Sequence, residues 1–429
     1  MIEPVILKGF RDSLPKDEIP KKKIIRVLED QFESYGFAPI DTPVLEYTEV
    51  LLGKGGGETD KQIFRFKDNG GRDVAMRFDL TVPFARFMAS HHDEVGVPFK
   101  RYHISKVWRG ENPQKGRYRE FTQCDFDIVG ADNALSDAEI LSLMHASFAA
   151  LGIENYKFHL SHRGLFTRFL SQLDAEKDSV EILRTVDKLR KIGEEEVKKA
   201  LTEITASEEK AEKIIAFITS GDGCSFMETL EKLESLSGGR SEESERMREI
   251  YSILSSLGIE KSFIFDPSIT RGLDYYTGIV YETFLTDLQS IGSVCSGGRY
   301  NDLASLYMKE KLPGVGASIG LDRLLAALDE LKSPLLTNSA SADLLIVLQK
   351  GEEAKASLIA RNARAMGLNT AIYLNPDAKM KKIYAFAEAN SIPYLLTLTE
   401  DSYTVKDLRT RETEAGEDAL KHIAEGKRH

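Results

Sequence analysis

Residues 100–129 read KRYHISKVWRGENPQKGRYREFTQCDFDIV, and this stretch decides the fold. Residues 100–108 and 121–129 are rich in aromatic and β-branched side chains, and a polar loop, residues 109–120, separates them. Two such runs around a long polar loop predict an antiparallel hairpin. Arg109 stands at the end of the first strand, where a planar, permanently charged guanidinium suits phosphate oxygens. Glu111 is placed to accept from a nucleobase amine, and Phe121 to stack on the base. On the second strand, period-two alternation puts Gln123, Asp125 and Asp127 on one face. An amide and two carboxylates together are costly to bury without a polar ligand. Taken singly, each is equally a solvated strand residue.

Working outward, Ile24, Val27, Leu28 and Phe32 form one apolar stripe on a helix expected to begin near Pro20 and stop at Gly36. Residues 37–46, with Pro39 and Pro43, should be extended. Ser136 and Glu139 read as a capping box ahead of Ile140, Leu141, Met144, Phe148 and Leu151. Antiparallel strands with flanking helices make an α+β domain. Residues 171–250 change character to Glu, Lys, Ser and Leu at helical periodicity, with 20 acidic and 13 basic residues, a net of −7. They are expected to be an all-helical insertion. Strand-like sequence resumes at Phe263 and runs through Thr283, residues 290–295 and residues 314–320, before a helix over 321–331. Residues 333–341 have linker composition, and strand and helix then alternate to Thr399, which predicts a small α/β domain with a largely parallel sheet.

Three glycine features need sorting. Gly53-Lys54-Gly55-Gly56-Gly57 lacks the ending of a P-loop and reads as a mobile loop. Gly314, Gly316 and Gly320 approximate a dinucleotide fingerprint, but the spacing is GxGxxxG and tight packing is the preferred reading; Arg323 follows at the start of the next helix. Ser296-Gly297-Gly298-Arg299-Tyr300 reads as a turn with two polar arms. In Arg271-Gly272-Leu273-Asp274-Tyr275-Tyr276 the two phenols point to opposite faces if the segment is a strand, so one of them reaches a site. A cross-strand aromatic pair in the core is the other reading.

Composition narrows the class. With 429 residues, 42% hydrophobic and 29% charged, the chain buries sizeable cores and is neither disordered nor fibrous. No apolar run has membrane-spanning length, and the N-terminus lacks a signal pattern, so a cytoplasmic protein is expected. Cys124, Cys224 and Cys295 are an odd number without CxxC spacing, and neither His91-His92 nor His103 sits in metal-ligand spacing. The net charge of −11 speaks against nucleic acid only until it is divided. Residues 171–250 hold −7 of it, whereas residues 341–429, with 13 basic and 13 acidic residues, are neutral and offer Lys379, Lys381 and Lys382.

These segments resemble the class II aminoacyl-tRNA synthetases, and within them the histidyl-tRNA synthetase family. Motif 1 of the class is similar to the helix ending at Gly36 with the following extended segment. Motif 2 resembles Tyr102 to Asp127, and motif 3 resembles Gly314 to Leu325. The two family signatures are similar to RGLDYYTG (271–278) and CSGGRY (295–300). The stretch RFDLTVP (77–83) looks more like the eukaryotic and archaeal branch than the bacterial one, where glutamate tends to stand in place of Asp79. The resemblance implies a catalytic domain over 1–170 and 259–332, an insertion over 171–258, a linker over 333–341 and an anticodon-binding domain over 342–429. It implies ATP and Mg²⁺, with L-histidine activated to an adenylate and transferred to the 3′ end of tRNA(His).

By position, Arg109 would take the α-phosphate, Arg323 the γ-phosphate, Glu111 and Phe121 the adenine, and Arg117 the outer phosphates. Arg271 would bridge substrate carboxylate and α-phosphate, making Arg271, Arg109 and Arg323 the catalytic set. Asp79, Thr81 and Gln123 would hold the substrate ammonium. Asp127 and Tyr276 would clasp the imidazole, with Tyr275 and Tyr300 also at the histidine site. Gln114 and Lys115, at the tip of the loop, are candidates for the tRNA acceptor end or plain solvated residues. Motif 1 implies a homodimer. A non-catalytic paralogue, such as a regulatory subunit of ATP phosphoribosyltransferase, is the alternative; it would lack the C-terminal domain and the motif residues.

Overall fold

The computed structural model describes residues 2–53, 62–270, 276–301, 303–309, 311–337 and 339–426. Lys54–Gly57, Arg271 and Tyr275 therefore lie outside the described residues. By compactness the chain forms two units, residues 1–11 with 25–331, and residues 12–24 with 332–429.

The hairpin read from residues 100–129 is present as strands Phe99–Trp108 and Glu120–Val129, paired antiparallel with Asp125 opposite His103. They lie in an eight-stranded sheet. From one edge to the other its strands are Ala38–Pro39, Phe99–Trp108, Glu120–Val129, Gly314–Gly320, Cys295–Tyr300, Ile279–Leu285, Tyr156–His162 and Phe263–Phe265. All pairings are antiparallel except the two outermost, which are parallel. One face packs against helices: Phe126 meets Phe32 at 4.9 Å between ring centroids, and Phe158 meets Phe148 at 5.8 Å. Helix Ala134–Ala150 contributes Ile140, Leu141, Leu143, Met144 and Phe148, all fully buried. Alternation then sends the polar partners of Phe126 to the opposite face.

Four local expectations are corrected. The first helix is Pro15–Ser34, with Pro20 inside it; Pro15 takes the first helical position and Asp17 and Glu18 follow in the first turn, where acids suit the helix dipole. The helix at Ala134 is capped by Asn133, whose side chain accepts from the Ser136 amide at 2.9 Å, rather than by a Ser136–Glu139 box. Glu139 instead pairs with Lys100 at 2.5 Å. CSGGRY is no turn: Cys295–Tyr300 is a central strand, because its two glycines let neighbouring backbone and rings close over it. Residues 290–295 in turn carry only a short 3₁₀ turn, Gln289–Ile291, before that strand.

Residues 179–256 are helical throughout the named elements, from Ser179–Val186 to Glu242–Ser256. Ser207, Ser225 and Ser241 cap three of these helices through their side chains. In the second unit, strands Thr370–Tyr373, Leu344–Val347 and Tyr394–Leu398 are parallel, as expected. The sequence reading stopped there; Tyr403–Asp407 and Thr413–Ala415 extend the sheet antiparallel and Glu417–Gly426 adds a helix. Leu344 and Ile346 feed one core, and Leu345 and Val347 the other, so this sheet is covered on both faces. The three cysteines are free. No described helix is long and apolar enough to cross a membrane.

Candidate active site

The polar face of the large sheet floors a cavity of about 460 Å³. Cross-strand pairing aligns His159, Glu282, Ser296, Ser318, Asp125 and His103 in one row across six strands. Beside it runs a row without bulk. Gly316 lies opposite Asp127, and a Cβ built on Gly316 would stand 2.0 Å from Asp127 Oδ1. A Cβ on Gly298 would stand 2.8 Å from the Tyr276 ring. The glycines of both motifs therefore make room for functional side chains and are not a nucleotide-binding fingerprint.

Asp127 lies in the space so made. Arg101 pairs with it at 2.6 Å and the Tyr300 hydroxyl donates to its Oδ1 at 2.6 Å. Both charged groups are buried, Arg101 at 0% and Asp127 at 3% exposure. Burial pushes the Asp127 carboxyl above its ordinary value against the opposing pull of Arg101. Burial also lifts Asp125 to about 7 and Asp79 to about 6. Asp79 accepts from the Val82 amide at 3.1 Å, at the start of helix Thr81–Val95, and Thr81 lines the cavity beside it. Gln123 donates from Nε2 to Ser318 Oγ at 2.7 Å. Tyr276 completes this end.

At the other end Arg109 donates from Nε to the Phe78 carbonyl at 2.9 Å, with its guanidinium 5.1 Å from the Phe121 ring. Arg117 is ion-paired with Glu111. Arg323 donates to the Ser293 carbonyl at 2.8 Å. Five groups named from sequence for a nucleotide (Arg109, Glu111, Arg117, Phe121 and Arg323) thus share one cavity with the six described groups named for the amino acid (Asp79, Thr81, Gln123, Asp127, Tyr276 and Tyr300). Gln114 and Lys115 do not line it. Gln114 closes a tight turn by exchanging backbone bonds with Arg117 at 2.9 Å, and Lys115 pairs with Glu330 at 2.6 Å.

The sequence places Asp125 on the polar strand face without a role of its own, and does not single out Arg101 or Ser318. The available signal was the hairpin register: Arg101, His103 and Ser105 interrupt an apolar strand at alternate positions and face Asp127, Asp125 and Gln123. Polar residues at matching positions of two paired strands mark a wet face in an otherwise dry sheet.

The family model for histidyl-tRNA synthetase matches residues 9–324. The histidine–tRNA ligase of Treponema denticola is 56% identical over 407 residues, covering 94% of this chain and 90% of that protein. That of Treponema pallidum (strain Nichols) is 49% identical over 412 residues, covering 95% and 92%. The crystal structure of histidyl-tRNA synthetase from Nostoc sp. PCC 7120 superposes with a TM-score of 0.87 at 31% identity over 99% of each chain. These relatives are bacterial, so the stretch around Asp79 does not set the chain in a eukaryotic or archaeal branch.

Proposed function

The chain belongs to the histidyl-tRNA synthetase family, and on that premise we propose how its cavity performs histidine–tRNA ligation. The activity is the joining of L-histidine to tRNA with consumption of ATP. A purely regulatory paralogue is not favoured, since close relatives at 49–56% identity over nearly the whole chain are ligases.

In the first step the histidine carboxylate attacks the α-phosphate as its bond to the β-phosphate breaks and pyrophosphate leaves; two anions must meet, so charge neutralisation and alignment carry the catalysis and no protein base is required. Arg109 neutralises the α-phosphate, Arg323 and Arg117 the outer phosphates, and Phe121 stacks on the adenine that Glu111 recognises. For this, Arg117 exchanges its ion pair with Glu111 for phosphate oxygens. Arg271, assigned by resemblance to its signature, bridges the two reacting anions. Among the described residues no three His, Cys, Asp or Glu side chains are grouped to hold a metal. Mg²⁺ bound with ATP would be held by the nucleotide's phosphate oxygens and would supply further positive charge there.

The amino-acid end carries the specificity. Asp79, Thr81 and Gln123 hold the ammonium, and Asp127 with Tyr276 meets the two imidazole nitrogens. Tyr300 belongs to this reading as the hydroxyl that fixes Asp127, as does Tyr275 by resemblance. A site that hydrogen-bonds both ring nitrogens leaves buried groups unpaired with any other side chain, which discriminates by roughly 10⁴–10⁵-fold without editing. A homodimer, a cytoplasmic location, acceptor-end contact by Gln114 and Lys115, and anticodon binding by the C-terminal unit complete the proposal.

The observation that carries the reading is Asp127, buried over Gly316 between Arg101 and Tyr300. Its test is amino-acid-dependent ATP–pyrophosphate exchange across all twenty amino acids. Histidine alone should support exchange, and Asp127→Ala should lower it by roughly 10²-fold or more in a folded protein. Exchange with another amino acid, or wild-type exchange by Asp127→Ala, would overturn the reading.

A further inference from the structure

Gln123 is 8% exposed and its amide is not free to choose its orientation. Nε2 lies 2.7 Å from Ser318 Oγ and 3.4 Å from Asp125 Oδ1. Ser318 stands directly opposite Asp125 in the register, where its hydroxyl favours the ionised carboxylate. A hydroxyl has one proton to give. With that proton on Asp125, Ser318 Oγ accepts, and only the amide nitrogen satisfies it. Flipping the amide would set its oxygen against the ionised Asp125 carboxylate. Gly320, directly opposite Gln123 in the register, has no side chain to offer an alternative partner. Gln123 Oε1 is consequently buried at the cavity wall with no hydrogen-bond partner among the described residues. A buried acceptor left so is unfavourable until a ligand donor meets it.

We infer that Ser318 and Asp125 are positioning residues that lock the Gln123 carbonyl toward the cavity, so that the site selects a ligand carrying an ammonium group over the same ligand without one. The inference rests on the proposed role of Gln123 at the substrate ammonium and extends it to two residues that act through it. Complementary charge supports it. Asp79, Asp125 and Asp127 crowd this end of the cavity, with Arg101 and Arg109 the cations acting on Asp79, so an added positive charge is welcome there.

The test compares equilibrium binding of L-histidine with that of 3-(imidazol-4-yl)propanoate, which keeps the ring and carboxylate and lacks the ammonium. Ser318→Ala and Asp125→Asn should each weaken L-histidine binding about tenfold or more, as expected for a mispositioned bond to a charged donor, and leave the propanoate within about twofold. Ser318→Thr, which keeps the hydroxyl, should restore the preference. In exchange assays the loss should fall on KM for histidine, with KM for ATP unchanged. Thermal melting establishes that each variant is folded, and an unfolded Ser318→Ala leaves the decision to Asp125→Asn and Ser318→Thr. Equal weakening of both ligands, or none, would overturn the inference. Gln123→Ala separates it from its premise. If that variant loses the preference while the Ser318 and Asp125 variants keep it, the positioning role falls and the ammonium reading stands. If Gln123→Ala itself keeps the preference, the ammonium reading falls and the positioning role with it.

Discussion

The floor of the large sheet and the helical segment of residues 171–250 both carry dense charge, and they handle it in opposite ways. In the helices the core is dry, with Val197, Leu201, Ile214, Leu230 and Ile250 fully buried. The acids stand outside: Glu208, Glu209 and Glu212 have side chains 73%, 76% and 58% exposed and pair with Lys198 and Lys213. Such pairs stabilise weakly, so the excess of acid there reports on solvation. In the sheet, Arg101, Asp125, Asp127 and Asp79 are at most 4% exposed. Charges kept that dry lower the stability of the fold unless something else requires them. The difference separates charge that follows from having a surface from charge that follows from having a ligand.

The largest break in this contrast is a methyl group. Gly316→Ala sets a Cβ 2.0 Å from Asp127 Oδ1, and backbone as well as carboxylate must shift. Histidine-dependent exchange should fall at least about a hundredfold, since a displacement near 1 Å costs roughly that much. In the helices, Gly193→Ala meets nothing within 4 Å and adds only the strain of its backbone, φ 85° with ψ 166°, about 1–3 kcal/mol. Exchange by that variant should remain that of the wild type. Similar exchange rates in the two variants would deny the sheet its special intolerance.

This contrast also explains what was legible in the sequence. The helices were plain because one period dominates them, and the motif hairpin because its strands alternate. CSGGRY misled because glycine-rich sequence usually marks turns, whereas here Gly297 and Gly298 serve close packing inside a strand. The antiparallel extension by Tyr403–Asp407 and Thr413–Ala415 went unseen because charged edge strands read as loop. Asp127 was found through its motif. Arg101 was not, because its role exists only in the register that sets it opposite Asp127.

A second break falls where the two regions meet. Asp137, fully buried at the start of helix Ala134–Ala150, pairs with Arg299 of the central strand at 2.7 Å and with Arg246 of helix Glu242–Ser256 at 2.6 Å. Asp137→Ala leaves the buried Arg299 guanidinium with Asp132, at 3.4 Å and half exposed, as its charged partner, and should cost about 3 kcal/mol in urea unfolding. Arg246 is partly open to solvent, with 22% of its side chain exposed, and its loss leaves Arg299 to neutralise Asp137. Arg246→Met should therefore cost clearly less. Equal costs would mean that the joint behaves as a surface pair does.

The finest comparison is a pH profile of stability. Burial lifts the Asp125 carboxyl to about 7, from an ordinary value of 3.8 that the unfolded chain retains. Between these values the folded protein holds a proton that the unfolded chain has released. Asp125 therefore favours the fold most below about pH 4, and that contribution is lost as pH rises through about 7. Asp125→Asn has no such proton to lose, so its stability relative to wild type should climb across this window by up to about 1.4 kcal/mol per pH unit and then level off. Asp79→Asn should show the same climb and level off earlier, near pH 6. The subtraction matters, because His162, held near 4 by burial, pulls the wild-type profile the other way at acid pH and cancels only in the difference. A flat difference for Asp125→Asn would mean that burial costs this carboxylate nothing, and that the two regions differ in exposure without differing in what their charges cost.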